Sequence, residues 1–220
     1  MGMRLYQFFI FLCLVIPVIS SAEEAAPPPA GELYRNDFSA AETGKPGKEF
    51  LILDGKFTIV DVEGNRMLEL PGEPLESYGL LFGPSQKEGV QVEGRMLSES
   101  TRRTFPAFGI GLNGVSGYRV LVAPAKKSIE IYRGTEVKAT APFTWKSGAW
   151  THLKLEVATT SEGKWLVKAK VWQEGSEEPA DWVSFEDAKE PPKGRASIWG
   201  TPFSGKKIYY DDLVVRSAVP

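Results

Sequence analysis

Two nearby stretches decide the fold: residues 150–157 read WTHLKLEV, and residues 165–172 read WLVKAKVW. In each stretch apolar or small residues alternate with mostly polar or charged ones. Successive side chains of a β-strand point to opposite faces. Each stretch therefore predicts a strand with one buried and one solvent-facing side. Leu153 and Val167 fall on the buried side, and His152, Lys168 and Trp172 fall on the other.

The same alternation recurs along most of the chain, separated by turns rich in Gly, Pro and Asn. No stretch of helical length has a sustained 3.6-residue period, so the pattern predicts an all-β protein, a two-sheet antiparallel β-sandwich. Asp54-Gly55 predicts a tight hairpin between the segments 50–53 and 56–60. The other predicted strands are 66–70, 78–82, 89–97, 105–112, 118–122, 128–133, 150–158, 165–172, 195–199 and 207–215.

The composition excludes several classes of protein. Lys and Arg number 26 against 28 Asp and Glu, which gives a net charge of −2 and no basic surface for a nucleic-acid partner. Cys13 is the one cysteine and His152 the one histidine. The chain therefore forms no internal disulfide framework and no Cys/His zinc cluster.

The N-terminal segment has the pattern of a secretory signal peptide. Arg4 precedes an apolar run over residues 8–18, and Ser20-Ser21-Ala22 supplies small residues at the cleavage position. An uncleaved membrane anchor is the alternative, although the run is shorter than the about 20 residues a span needs. We expect a signal peptide at 1–22, a Pro/Ala-rich linker at 23–32 and one domain at 33–220. The protein is then secreted or periplasmic, with no stable membrane span after cleavage.

Several motifs resemble a known superfamily. GYRVLV (117–122), SIEIYR (128–133) and WTHLKLEV (150–157) resemble the middle strands of concanavalin A-like, laminin-G-like jelly rolls. KAKVW (168–172) followed by EPADW (178–182) resembles small exported bacterial modules that stand alone or follow β-propellers. YRNDF (34–38) and KIYYDDLVV (207–215) resemble the first and last strands of the superfamily. The resemblance spans residues 33–216 and implies a jelly-roll sandwich with a concave inner sheet.

The superfamily contains lectins, carbohydrate-binding modules, β-glucanases and 3-keto-glycoside hydrolase-like proteins. The sequence lacks the Glu-x-Asp-x-x-Glu pattern of the glucanases and the Gly-x-Ser-x-Gly nucleophile elbow. We therefore expect an exported carbohydrate-binding module without its own catalytic machinery. Two alternatives stay open: a 3-keto-glycoside hydrolase-like enzyme, or a protein-interaction β-sandwich in an extracytoplasmic assembly.

The chain has six tryptophans, and an exposed indole covers the apolar C–H face of a sugar ring. Trp165 and Trp182 are expected in the core or at its rim, and Trp172 and Trp199 on a polar face. Strand parity lets the polar residues form one glycan-binding surface if their strands share a sheet. The predicted ligand-binding residues are Arg95, Arg119, His152, Lys168, Trp172 and Trp199.

A structural Ca²⁺ is the one cofactor that the resemblance implies. Last-strand aspartates of the related glucanases help to hold calcium, and Asp211 matches that position, with Asp37 near the matching N-terminal residue. Carboxylate oxygens are the ligands that Ca²⁺ prefers. The alternative is that both carboxylates are solvated and cap the ends of their strands.

Overall fold

A computed structural model describes Met1, residues 31–73 and residues 76–218. The predicted signal peptide, apart from Met1, and the linker up to residue 30 lie outside these residues. Within the described residues the one helical element is the 3₁₀ turn Pro124–Lys126. The strands are β1 (Glu32–Asn36), β2 (Leu51–Asp54), β3 (Thr58–Val62), β4 (Asn65–Leu70), β5 (Tyr78–Gln86), β6 (Val90–Ser98), β7 (Ala107–Leu112), β8 (Tyr118–Ala123), β9 (Ser128–Arg133), β10 (Glu136–Pro142), β11 (Thr151–Thr159), β12 (Trp165–Gln173), β13 (Val183–Asp187), β14 (Gly194–Thr201) and β15 (Ile208–Ser217).

The strands form two antiparallel sheets packed face to face, so the predicted all-β sandwich is confirmed. Sheet I has the order β13-β12-β11-β6-β15-β4-β3, and β1 also pairs with β15. Sheet II has the order β10-β9-β8-β7-β14-β5-β2. The first strand pairs with the last, with Asn36 opposite Leu213.

The core lies between the sheets and follows the predicted parity. Leu153 and Leu155 of β11 and Val167 of β12 are at most 1% exposed, and they belong to the same buried cluster as Ile110 and Val120 of sheet II. Burying one such aliphatic side chain contributes roughly 1.5–3 kcal/mol to folding. The alternate residues of these strands face outward, and the polar side chains among them form the surfaces described below.

The predicted hairpin at Asp54-Gly55 is wrong. β2 pairs with β5 in sheet II, whereas β3 pairs with β4 in sheet I. The Asp54-Gly55 turn, with Gly55 at φ +102°, therefore carries the chain from one sheet to the other. A turn sequence predicts only that the chain changes direction locally. It does not predict the partner of each strand, which is set by residues far away in sequence.

Two strands were not predicted, β10 and β13, and both lie at a sheet edge. Their sequences, EVKATAP and VSFED, contain few large apolar residues because one side of an edge strand has no neighbour. β13 is also held by its last residue, Asp187, which contacts Arg133 and accepts a hydrogen bond from the Tyr118 hydroxyl at 3.1 Å. Among the described residues, no helix has the length and apolar character required to cross a membrane.

Candidate functional site

The six residues predicted to bind a ligand lie on two different faces of the sandwich. The outer face of sheet I carries those of β6, β11 and β12, and the outer face of sheet II carries those of β8 and β14. The two groups are Arg95, His152, Lys168 and Trp172 on sheet I, and Arg119 and Trp199 on sheet II. Strand parity allowed one common surface if the strands shared a sheet. Because they belong to two sheets, the residues form two separate surfaces. Parity fixes the side of a strand but not the sheet to which the strand belongs.

Three of the sheet I residues are direct cross-strand neighbours. In the register of β6, β11 and β12, Arg95 lies opposite His152 and His152 lies opposite Trp172. The His152 and Trp172 rings are nearly parallel, at 11°, with their centroids 5.2 Å apart. Together with Asp212 these three residues form what we call the His152 surface.

Arg95 is the electrostatic centre of this surface. Its Nη2 donates a hydrogen bond to Asp211 Oδ2 at 2.7 Å, and its Nε lies 2.8 Å from Asp212 Oδ2 in an ion pair. The guanidinium also stacks over the Trp150 ring at 4.6 Å. Because Asp211 is only 1% exposed, this pairing compensates a carboxylate that water does not solvate.

A β-bulge in β15 brings both aspartates to Arg95. Asp211 pairs with Arg95 and Val214 with Glu93, so Asp212 and Leu213 together oppose Gly94. Asp212 has φ +51°, in the left-handed region that residues other than glycine rarely adopt. Bulges of this kind re-aim side chains and occur frequently beside functional sites.

A cavity of about 140 Å³ opens on this surface. Its wall combines the aromatic pair with charged groups of three strands, β1, β6 and β15, and Gly94, Leu153 and Val214 complete it. The charged lining residues form ion pairs: Arg35 with Glu32 at 2.8 Å, and Arg216 with Glu93 at 2.7 Å. The polar and aromatic lining residues are Arg35, Glu93, Arg95, His152, Trp172, Asp212 and Arg216. The cavity offers hydrogen-bond donors and acceptors beside an apolar ring edge.

Burial shifts the pKa values of His152 and Asp212, both in the cavity wall, in opposite directions. The pKa of His152 is lowered, first because burial disfavours the imidazolium and second because Arg95 is close. Burial also raises the pKa of Asp212, against the opposing effect of Arg95. His152 is therefore a neutral imidazole near pH 7, with one nitrogen that donates and one that accepts.

Lys168 is on the predicted face but not in the cavity. Its ammonium group pairs with Glu156 at 2.8 Å and lies 4.7 Å above the Trp182 ring. Trp182 is half-buried at the rim, and Trp165 lies in the core, as expected for both. On sheet II, Trp199 faces outward but is only 9% exposed, because its ring is covered by Arg119 at 4.6 Å.

The residues expected to hold calcium do not fit a cation. Both oxygens of Asp211 accept N–H hydrogen bonds, Oδ2 from Arg95 and Asn65 and Oδ1 from the Asp212 backbone. Asp37 is exposed and accepts hydrogen bonds from Ser39 instead. Within the described ranges, no three His, Cys, Asp or Glu side chains are placed to hold a metal ion.

Sequence reasoning missed four residues of the cavity: Arg35, Glu93, Asp212 and Arg216. They lie on β1, β6 and β15, and only the pairing of these strands brings them beside His152. The two adjacent aspartates at 211–212 are visible in the sequence. Both carboxylates reach Arg95 only because of the bulge in β15, and the sequence pattern does not predict that bulge.

No family model matches the sequence, and no curated protein is similar to it in sequence. Solved structures are similar in fold. The carbohydrate-binding module CBM66 from Bacillus subtilis has a TM-score of 0.52 and 11% identity, and covers 77% of this chain and 96% of its own. A Bacillus subtilis protein of unknown function with a galectin-like fold has a TM-score of 0.56 and 13% identity, with 85% and 96% covered.

The exoplasmic/lumenal domain of VIP36, in a form bound to Ca²⁺ and Man3GlcNAc, has a TM-score of 0.51 and 10% identity, with 79% and 85% covered. These likenesses extend over most of both chains, and they define the fold. The chain has the two-sheet jelly-roll fold of these structures, which is the fold that the motif resemblance implies.

Proposed function

We propose that this protein is an exported carbohydrate-binding module and that the His152 surface is its glycan site. One observation carries the proposal: the cavity places the stacked His152 and Trp172 rings beside Arg95 and Asp212. A sugar has an apolar C–H face and a rim of hydroxyl groups. An aromatic wall with a few convergent polar groups is the arrangement that binds such a molecule.

The fold and the N-terminal pattern support the proposal. CBM66 is a carbohydrate-binding module, and the VIP36 domain was solved with a bound glycan. Export is supported by the signal-peptide pattern of residues 1–22 and by the exoplasmic or lumenal location of the VIP36 domain. The glycan partner then meets the protein in the periplasm or outside the cell.

The test is a glycan array on the purified protein, followed by titration of the best ligand against Trp172→Ala. Truncating a well-packed aromatic contact typically removes on the order of 1–3 kcal/mol of binding free energy, about ten- to hundredfold in affinity. Trp182→Ala is the matched control, because Trp182 is half-buried on the same sheet face and does not line the cavity.

We expect Trp172→Ala to weaken binding and Trp182→Ala to leave it unchanged, with both variants keeping the wild-type melting temperature. Equal affinity in both variants and the wild type would contradict the assignment of the site. A glycan array without any bound glycan would contradict the function itself.

Catalysis is a second candidate function, favoured by one specific observation. His152 and Asp212 line the same cavity, and their pKa values are shifted in opposite directions. Such pairs serve as acid and base in glycan-cleaving enzymes. The test is incubation of the array's best ligand with wild type and His152→Gln. New reducing ends or double bonds that require His152 would support an enzyme, and an intact ligand would support the binding module.

Calcium is not part of the proposed site. The VIP36 domain was solved with Ca²⁺, but here Asp211 is hydrogen-bonded to N–H donors through both of its oxygens. A cation at Asp211 would have to displace the Arg95 guanidinium from a buried position.

A further inference from the structure

Arg119 lies on the outer face of sheet II, on the side of the sandwich opposite to the His152 surface. Its guanidinium is between two aromatic rings, 4.6 Å from the Trp199 centroid and 5.9 Å from that of Tyr132. In the register of β7, β8 and β9, Arg119 lies opposite both Gly111 and Tyr132. We call Arg119, Tyr132 and Trp199 the Arg119 surface.

Two glycines leave space for the side chains of this surface. A Cβ at Gly79 would lie 2.8 Å from the Trp199 ring, and a Cβ at Gly111 would lie 2.9 Å from Arg119 Cγ. The side chains of Trp199 and Arg119 can therefore pack against the backbone of a neighbouring strand. A residue larger than glycine at position 79 or 111 would prevent this packing. The Trp199 Nε1–H donates to Ser197 Oγ at 2.9 Å and fixes the ring. The cation and the indole are held in place before any ligand arrives.

The charge of Arg119 is not compensated by a carboxylate. Among the described residues its one hydrogen-bond acceptor is the backbone oxygen of Gly134, and its buried Nε has no partner. The neighbouring Glu130 is already bound to Lys126 and to the Tyr132 hydroxyl. By contrast, Arg95 and Arg133 each pair with an aspartate. Burial lowers the pKa of Arg119, because it disfavours the charged form.

We propose that the Arg119 surface is a second ligand site, which binds a sugar carboxylate of an acidic polysaccharide. The inference rests on the proposed function, because it takes the ligand to be a glycan. A guanidinium matches a planar carboxylate with two parallel N–H donors, and stacking on Trp199 keeps the guanidinium in one plane.

The experiment titrates the protein with three polymers at low salt: a polygalacturonate, a neutral glucan and polyglutamate. Binding is followed by calorimetry for wild type, Arg119→Gln, Arg119→Lys and the control Arg103→Gln, which removes an exposed arginine from a loop. In parallel, the Arg119 Nε–H resonance is followed by NMR during titration with sodium galacturonate, so that the site is observed even when the polymer binds weakly.

We expect polygalacturonate to bind in a salt-sensitive manner, since screening weakens the interaction. Arg119→Gln should lower its affinity about tenfold or more, the factor expected for a charge-assisted hydrogen bond. Arg119→Lys retains the charge but lacks the two parallel N–H donors of a guanidinium, so its affinity should lie between those of the wild type and Arg119→Gln. The affinity of Arg103→Gln should match that of the wild type. The Arg119 Nε–H resonance should shift with galacturonate. Melting temperatures of the variants separate a lost contact from a lost fold.

Several results would overturn the inference. Polygalacturonate affinity that depends on Trp172 and not on Arg119 would place the acidic glycan on the His152 surface and leave the proposed function intact. Equal binding of polyglutamate would mean that the site recognises carboxylate charge and not an acidic sugar. An Arg119 resonance that does not move at saturating galacturonate would remove the site, whatever the glycan array shows.

Discussion

The protonation state of His152 is set by the residues around it. Trp172 stacks on one face of the imidazole, and Arg95 lies beside it across the strands. Burial disfavours the charged form by excluding water, and Arg95 disfavours it by repulsion. The ring is therefore held neutral, and its protonation is coupled to the stability of the fold.

This coupling predicts the pH dependence of stability. The pKa of His152 is lower in the folded chain than the ordinary 6.5. Below about pH 6.5 the unfolded state therefore binds a proton that the folded state does not, and stability falls as the pH decreases. We expect His152→Gln to lose less melting temperature than the wild type between about pH 7.5 and pH 5. Parallel curves for the two proteins would contradict the lowered pKa.

At this scale the sequence predicted much of the site. The alternation of β11 and β12 placed His152 and Trp172 on an outward face, where both are found. Arg119 and Trp199 were also predicted on polar, outward faces, and both face outward, but from the other sheet. Periodicity contains no information about which strands of different regions pair, and so it could not separate the two groups.

At the scale of elements, Arg95 joins β6 to β15 at the bulge. Arg95→Gln leaves Asp211 buried, with its charge uncompensated. Breaking a buried ion pair by removing one partner costs about 3–5 kcal/mol, and we expect a loss in that range for the free energy of unfolding, measured by chemical denaturation. The double variant Arg95→Gln with Asp211→Asn should recover part of the loss, since no lone charge is left. A double variant less stable than Arg95→Gln alone would show that the charge is not the cause.

The elements that sequence patterns missed are those with the weakest patterns. β10 and β13 are sheet edges, where solvent replaces a neighbour and polar residues are tolerated on both sides. The turn at Asp54-Gly55 was recognised, but its role was not. Leu51 pairs with Leu81 of β5 and Thr58 pairs with Glu69 of β4, so the two strands around the turn belong to different sheets.

For the whole molecule, the structure changes the expectation about calcium. The first and last strands pair, but Asp37 and Asp211 bind different protein groups. A ligand that binds only the folded state raises the melting temperature. Because Asp37 and Asp211 are bound to protein groups, we expect the same melting temperature in chelator and in millimolar calcium. A calcium-dependent rise that disappears in Asp211→Asn would restore the metal site.

The antiparallel pairing of β1 with β15 also has a mechanical consequence. Glu32 lies opposite Arg216, and the Ser217 amide donates to the Gly31 carbonyl at 2.7 Å, so the two ends of the domain leave at the same point. A force that pulls the ends apart acts along the direction of the β1–β15 hydrogen bonds and not across them. Such a force therefore breaks the β1–β15 hydrogen bonds one after another, starting at the pair nearest the two ends. β1 peels away under tension first and takes Arg35 out of the cavity of the His152 surface, while β15 stays paired with β6.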